Sequence, residues 1–178
     1  DIEAGRFIIA REGPKEVPQQ YLVQNGTRTQ LTKNLDYTPD VTNAVVERIT
    51  IERPDGFKFR TTVTLPQNYQ KGNRLPAIFW FYPREFQDQD AYDRPDRTFN
   101  KNAFQAFGLR SMEFLVRLGY AVVEPDSPIV GPAGQMNNNY VHDLRNNLAA
   151  VIDELEDASG HEGIDLLPMG HAPREGGE

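Results

Sequence analysis

The sequence predicts an α/β fold, in which a mostly parallel sheet carries an antiparallel hairpin at its edge. From residue 44 onward the hydrophobic pattern gives a β-hairpin, a strand, a helix, a strand and a helix, in that order. Alternating strands and helices are typical of parallel sheets. The hairpin that precedes them is expected to form an antiparallel edge of the same sheet. The two strands after the hairpin are continuous apolar runs, as expected for strands covered on both faces.

The residues between the two arms of the predicted hairpin favour a tight turn. Residues 44–52 are rich in β-branched side chains, and residues 57–65 alternate between apolar and polar positions. Pro54-Asp55-Gly56 lies between them, where proline presets φ and glycine accepts a left-handed conformation. The alternating arm is therefore expected to bury one face.

The remaining elements follow from length and periodicity. Residues 76–82 and 120–124 are predicted as buried strands, and residues 83–101 as a long functional or surface loop. Residues 108–118 are predicted as a helix that Ser111 caps and Gly119 ends. Residues 140–157 give the strongest helix prediction. Its expected apolar stripe consists of Val141, Leu144, Leu148, Val151, Ile152 and Leu155.

The first 43 residues differ in pattern from the rest. Residues 6–10 are predicted as a strand and residues 20–31 as a hairpin around Asn25-Gly26, a dipeptide that favours a type I′ turn. Residues 34–43 are predicted as a linker. At the other end, residues 160–178 are rich in glycine, proline and charge, which predicts disorder.

Composition excludes several classes of function. The 178 residues carry a formal net charge of −7, which argues against a nucleic-acid partner. No stretch approaches the roughly 20 apolar residues that span a bilayer, so no membrane partner is expected. The absence of cysteine excludes disulfides and thiolate chemistry. Cytoplasmic and exported locations both stay open, because the sequence starts at Asp1 and the N-terminus of the protein is expected to be missing from it.

Four segments resemble the opening part of the catalytic domain in the prolyl oligopeptidase family of serine peptidases. The resemblance lies in Pro-Asp-Gly-Phe-Lys-Phe and Thr-Leu-Pro within residues 54–66, in Leu-Pro-Ala-Ile-Phe-Trp-Phe-Tyr-Pro at 75–83, in Phe-Leu-Val-Arg-Leu-Gly-Tyr-Ala-Val-Val-Glu-Pro-Asp at 114–126, and in Tyr-Val-His-Asp at 140–143. Tyr-Pro-Arg-Glu-Phe at 82–86 resembles the branch with glutamyl endopeptidases and acylaminoacyl peptidases.

This resemblance implies an incomplete α/β-hydrolase sheet. Residues 44–159 would form the N-terminal part of that peptidase domain, residues 1–43 the end of a β-propeller and a linker, and residues 160–178 an atypical tail. The implied activity is hydrolysis of peptide bonds through an acyl-enzyme, with a peptide as the substrate.

The nucleophile of that chemistry is missing from the sequence. A serine hydrolase needs Gly-x-Ser-x-Gly at a sharp turn between strand and helix. Ser111, Ser127 and Ser159 do not occur in this context. The resemblance places the turn shortly after Asp165, where the sequence continues without it. We therefore expect a fragment that is inactive by itself, produced by truncation, a frameshift or a gene-model error.

One residue of the family's oxyanion hole matches. The resemblance implies that Tyr82, at the end of the third strand, donates a hydrogen bond to the oxyanion. The alternative is an amphipathic tyrosine at a strand end. No cofactor and no metal are expected.

Other candidate residues have equally good structural explanations. His142 beside Asp143 could form a dyad or lie at the surface, and Glu124 with Asp126 could line the site or cap a turn. Arg84 and Glu85 could shape specificity or form an ion pair. His161-Glu162 begins like a zinc motif, but Asp165 stands where the second histidine is required. The remaining polar candidates are His171 and Asn137 to Asn139.

Two alternatives of other kinds stay open. The chain could be a non-catalytic α/β module that binds a partner. It could also be a fragment of an esterase, because specificity resides mostly in residues outside this sequence.

Overall fold

The computed structural model describes residues 5–94 and 102–156, together with the backbone of a short strand, Leu166–Leu167. The chain divides into two compact units. One consists of residues 1–43 with 97–111, and the other of residues 44–96 with 112–178. The identity of these units as propeller and hydrolase stays a prediction.

The first unit contains a three-stranded antiparallel sheet in the order β1-β2-β3. Its strands are β1 (Arg6–Gly13), β2 (Glu16–Gln24) and β3 (Thr27–Gln30). Asn25 and Gly26 have φ values of 50° and 76°, which both central residues of a type I′ turn require. The predicted hairpin is therefore confirmed. The side chains of all three strands are exposed or half-buried.

The predicted linker at residues 34–43 contains a short helix, α1 (Pro39–Thr42). Proline at the first helical position favours this start, because its fixed φ suits a helix and its missing N–H has no partner there in any case. The assignment of residues 34–43 as a linker stays a prediction.

The second unit is built around a mixed five-stranded sheet in the order β10-β6-β8-β5-β4. Its strands are β4 (Val45–Glu52), β5 (Lys58–Leu65), β6 (Leu75–Phe79), β8 (Ala121–Pro125) and β10 (Leu166–Leu167). β10, β6 and β8 are parallel, whereas β5 pairs antiparallel with both β8 and β4. The predicted mixed α/β architecture with an antiparallel hairpin at one edge is thus confirmed.

The core lies under the alternating arm of the β4–β5 hairpin. Phe59, Val63 and Leu65 are fully buried, as the alternation in sequence predicts. Their core partners come from β4, β6, β8, the long helix and the segment that carries Tyr92. The cluster consists of Ile51, Phe57, Phe59, Val63, Leu65, Ala77, Tyr92, Ala121, Val123, Ala150, Val151 and Leu155.

The polar segment predicted as a long loop at residues 83–101 is structured in its first half. It contains β7 (Arg84–Phe86) and α2 (Gln89–Asp93). β7 pairs in parallel with β9 (Pro128–Val130), and Asp88 caps α2 by accepting from the N–H of Ala91 at 2.8 Å. Because the pairing partner is over 40 residues away, local sequence does not reveal this strand.

The helix predicted at residues 108–118 is a shorter 3₁₀ helix, Met112–Leu118. The hydroxyl of Ser111 accepts a hydrogen bond from the N–H of Gly108 at 3.0 Å, and its capping of the helix stays a prediction. Gly119 follows the helix with a φ of 83°, so the predicted stop is confirmed.

The long helix α3 (Tyr140–Glu156) is confirmed, but its buried stripe differs from the prediction. Asp143, Asn147, Ala150, Val151 and Leu155 are buried, while Val141 and Ile152 are exposed. The buried stripe includes the polar side chains of Asp143 and Asn147, because both contact the buried Arg53. No helix in the described part of the chain is long and apolar enough to cross a membrane.

The predicted disordered tail lies outside the described residues except for β10, which pairs with Leu75 and Pro76 of β6. For these two residues the expectation of disorder is wrong.

Candidate active site

The candidate site lies where β6 and β8 end. The predicted strand at residues 76–82 stops at Phe79, and the N–H of Trp80 still donates to the carbonyl of Val123 at 2.9 Å. Beyond Trp80 the chain leaves the sheet, and Tyr82 is 83% exposed. Carboxyl ends of parallel strands are where open α/β sheets bind ligands. Tyr82 therefore lies just beyond the carboxyl end of β6, which makes it a candidate site residue.

A cavity of about 320 Å³ lies beside this edge. It brings together four of the residues singled out in the sequence: Tyr82, Arg84, Glu124 and Asp126. Trp80 and Thr62 also line it. Glu85 is not part of this cavity, because its carboxylate accepts a hydrogen bond from the side-chain amide of Asn137.

Glu124 is a half-buried carboxyl group in the wall of the cavity. Burial raises the pKa of Glu124, and the nearby carboxylate of Glu113 raises it further. Desolvation and like charge act in the same direction, because both disfavour the anion.

Asp126 is held by two side chains on its other flank. The hydroxyl of Tyr92 donates to Asp126 Oδ2 at 2.6 Å, and Arg60 Nε lies 3.3 Å from the same oxygen. Burial raises the pKa of Tyr92, and its hydrogen bond to Asp126 raises it further. Tyr92 therefore stays a neutral donor, and Asp126 has a fixed position.

The predicted pair His142–Asp143 belongs to a different place. Asp143 Oδ2 accepts from the N–H of Val130 at 2.7 Å, and its Oδ1 lies 3.7 Å from Arg53 Nη1. His142 Nδ1 lies 3.5 Å from Asp143 Oδ1, but the His142 side chain is mostly exposed. Asp143 thus belongs to a buried hydrogen-bond and ion-pair network, which explains why an aspartate is buried on this face of α3.

Ser127 is fully buried and has a φ of 48°. Its hydroxyl has no hydrogen-bond partner among the described residues. Ser159, His161, Glu162 and His171 lie outside the described residues.

Metal binding finds no support in the geometry that is described. Within residues 5–94 and 102–156, no three histidine, aspartate or glutamate side chains are grouped so that they could hold an ion.

Sequence reasoning missed Tyr92, Arg60 and Arg53. Tyr92 lies in the segment predicted as loop, and its partner Asp126 is 34 residues away. A signal for Arg53 exists in hindsight, because the arginine directly precedes the Pro-Asp-Gly turn whose Asp55 it binds.

β10 adds a third parallel strand to the same edge. It runs parallel to β6, so its carboxyl end points to the edge at which Tyr82 stands.

Comparison with known proteins gives three sequence relatives. "Probable glutamyl endopeptidase, chloroplastic" from Oryza sativa subsp. japonica is 27% identical over 160 residues, which is 86% of this chain and 17% of the relative. The protein with the same description from Arabidopsis thaliana is 30% identical over 121 residues, 66% of this chain and 12% of the relative. Lasso peptide isopeptidase AtxE2 from Asticcacaulis excentricus is 31% identical over 83 residues, 45% of this chain and 12% of the relative.

The relatives of this chain are serine peptidases of the prolyl oligopeptidase family. This agrees with the resemblance seen in the sequence. The chain spans less than a fifth of the length of each of these peptidases. No protein-family model matches the chain.

A solved structure of AtxE2 without ligand aligns with 91% of this chain and 25% of its own chain, at 18% identity and a TM-score of 0.47. The relationship to the peptidase family rests on the sequence matches.

Proposed function

We propose that this chain forms the opening part of the catalytic domain of a serine-type peptidase, which hydrolyses peptide bonds through an acyl-enzyme. Support comes from peptidase relatives that align with up to 86% of the chain. It also comes from the second unit, where an antiparallel hairpin precedes parallel strands. The substrate class is a peptide.

The domain assignment belongs to the same proposal. Residues 44–159 form the incomplete α/β-hydrolase sheet, and residues 1–43 form the end of a β-propeller. A three-stranded antiparallel sheet whose side chains are exposed or half-buried supports the second assignment, because such a sheet needs another layer to bury a face.

Tyr82 has a defined role in this proposal. When an oxygen nucleophile attacks a peptide carbonyl, negative charge develops on the carbonyl oxygen, and a fixed donor lowers the barrier. The observation that carries the role is the exposed position of Tyr82 at the carboxyl ends of β6 and β8. One such donor lowers the barrier by about 3 kcal/mol in related chemistry.

The chain by itself is proposed to be inactive, because none of its three serines lies in Gly-x-Ser-x-Gly. The nucleophile, the histidine base and the orienting acid come from the remainder of the full-length peptidase. Tyr82 then assists a reaction whose covalent steps occur on other residues.

A fluorophosphonate probe and a peptide library test this function. The full-length protein that carries this segment should bind the probe covalently and hydrolyse peptides, whereas residues 1–178 alone should do neither. Labelling with hydrolysis of esters alone would support an esterase, and the absence of both labelling and hydrolysis would support a binding module.

The role of Tyr82 is tested by Tyr82→Phe in the full-length protein. We expect kcat to fall about 100-fold with little change in KM, because the lost hydrogen bond acts in the transition state. Tyr37→Phe is the matched control, since Tyr37 is equally exposed but belongs to the first unit. An unchanged kcat in Tyr82→Phe would refute the role.

A further inference from the structure

The carboxylate of Asp126 is bound at one oxygen. The Tyr92 hydroxyl and Arg60 Nε both bind Oδ2, at 2.6 Å and 3.3 Å. Among the described residues Oδ1 has no hydrogen-bond partner, and the side chain is 44% exposed. Asp126 also lines the cavity that contains Tyr82. An acceptor oxygen is therefore left for a ligand in that cavity.

Tyr92 holds its position through aromatic packing. It is 5% exposed and packs edge-on against Phe57 and Phe86, with ring centroids 5.6 Å and 5.1 Å apart. Its hydroxyl also accepts from the backbone N–H of Arg60 at 2.7 Å. With its ring packed in this way, the hydroxyl can hold the Asp126 carboxylate in one orientation.

The helix that carries Tyr92, α2, contacts β5 where β8 does not pair with it. β8 pairs with residues 61–64 of β5, and α2 binds the backbone of Lys58, which precedes them. Gln89 Oε1 accepts from the N–H of Lys58 at 2.8 Å, and Gln89 Nε2 donates to its carbonyl at 2.9 Å. Gln89 therefore anchors α2 without contact to Asp126, which makes it a matched control for Tyr92.

We propose that Asp126 is a substrate-binding residue, whose Oδ1 accepts a hydrogen bond from a backbone N–H of the peptide bound beside Tyr82, and that Tyr92 is its positioning residue. The inference rests on the proposed function. An extended peptide offers backbone N–H donors along its length, and a hydrogen bond from N–H to a carboxylate is charge-assisted. Asp126 supplies that acceptor at a fixed place in the cavity wall.

Asp126→Asn tests the acceptor without removing its supports. The Tyr92 hydroxyl donates to Asp126 Oδ2, and the cationic Arg60 side chain lies 3.3 Å from the same oxygen. Both favour the amide oxygen of asparagine at this place, so the amide nitrogen turns toward the cavity. In the full-length peptidase we expect KM to rise at least tenfold with kcat nearly unchanged, because a uniform binding contact is lost. An unchanged KM would overturn the proposal.

N-methylated substrates identify the donor. The best substrate from a quenched fluorescent peptide library is prepared with each backbone N–H methylated in turn. With the wild-type enzyme, one of the methylated peptides should have a higher KM than the unmethylated peptide. For that same peptide, Asp126→Asn should raise KM no further. If Asp126→Asn impairs every methylated peptide equally, the direct hydrogen bond is refuted.

Tyr92→Phe tests the positioning role. KM should rise several-fold in the wild-type background and should not rise further in Asp126→Asn, because the tyrosine acts through the carboxylate. Gln89→Ala should leave KM unchanged. Additive effects of Tyr92→Phe and Asp126→Asn, or an equal effect of Gln89→Ala, would show a merely structural role.

The two proposals fail in different ways. If the full-length protein does not hydrolyse peptides, the proposed function itself fails. If it hydrolyses peptides and Asp126→Asn keeps the wild-type KM, only the assignment of Asp126 fails.

Discussion

Arg53 Nη1 donates a hydrogen bond to Asn147 Oδ1 at 3.1 Å, across 94 residues of sequence. Both side chains are buried. The amide nitrogen of Asn147 donates in turn to the carbonyl of Pro128 at 2.8 Å. One buried side chain thus joins the end of β4, the strand β9 and helix α3, and it explains why α3 buries polar residues.

Asn147→Ala should destabilise the second unit by about 3 kcal/mol, because a buried guanidinium and a buried carbonyl each lose a partner. Urea unfolding followed by the fluorescence of Trp80, the single tryptophan, measures this loss. Asn146→Ala is the control on the same helix, where the side chain makes only weak contacts at 3.4 Å to His142. Equal effects of the two substitutions would contradict the structural role of Asn147.

Asp55 should make stability depend on pH. The hydrogen bond from Arg53 holds the pKa of Asp55 below its ordinary value of 3.8. A lowered folded pKa gives stability that is present above the unfolded value, about 3.9, and is lost as pH falls through the folded value.

Asp55→Asn should therefore be less stable than wild type at pH 7, and the difference should disappear in acid. The side chain is about half exposed, so solvent screening limits the effect to about 1 kcal/mol or less. Unfolding free energies measured between pH 2 and pH 7 test this, with Glu52→Gln as the control at the exposed pair with Lys58. A constant difference across that range would refute the linkage.

Glu124 should respond to pH in the opposite direction. Burial and then Glu113 raise its pKa, so its contribution to stability is present below the unfolded pKa and is lost as pH rises through the folded value. Glu124→Gln should be more stable than wild type at pH 7 and equal to it below pH about 4. Glu113→Gln should lower the pKa of Glu124, which carbon-13 NMR of the carboxyl group measures. An unchanged titration in Glu113→Gln would exclude the like-charge contribution.

Ser127 holds a backbone conformation that glycine adopts more easily. Its φ of 48° lies in the left-handed region, and its buried hydroxyl has no hydrogen-bond partner among the described residues. Ser127→Gly should stabilise the second unit by about 1 kcal/mol. Ser127→Ala keeps the Cβ atom and should stabilise less. Thermal unfolding compares the two, and a larger gain for alanine would contradict backbone strain as the cause.

Much of the fold could be predicted from local patterns. The alternation in residues 57–65 gave the buried face of β5, and Asn25-Gly26 gave the turn of the first hairpin. The resemblance points to Tyr82 and, next to it, Arg84, and the end of a predicted strand points to Glu124 and Asp126. The structure places these four residues around one cavity. Their identity as neighbours follows from parallel strands that end at one edge.

The elements that sequence reasoning missed depend on distant partners. β7 forms because it pairs with the distant strand β9. α2 is anchored by the hydrogen bond from the N–H of Lys58 in β5 to Gln89, at a position of β5 that β8 does not pair with. The stripe of α3 was misjudged, since burial of Asn147 and Asp143 depends on Arg53.

The sequence by itself determined the main strands of the sheet, the long helix, the tight turns and the relationship to serine peptidases. Periodicity, turn chemistry and motifs are properties of short segments, so they can be recognised without knowledge of the tertiary structure. The tertiary structure alone decided that Tyr92 and Arg60 bind one oxygen of Asp126, and that Arg53 meets α3. These contacts join residues dozens of positions apart, and only the packing of the sheet brings their polar groups to within hydrogen-bond distance.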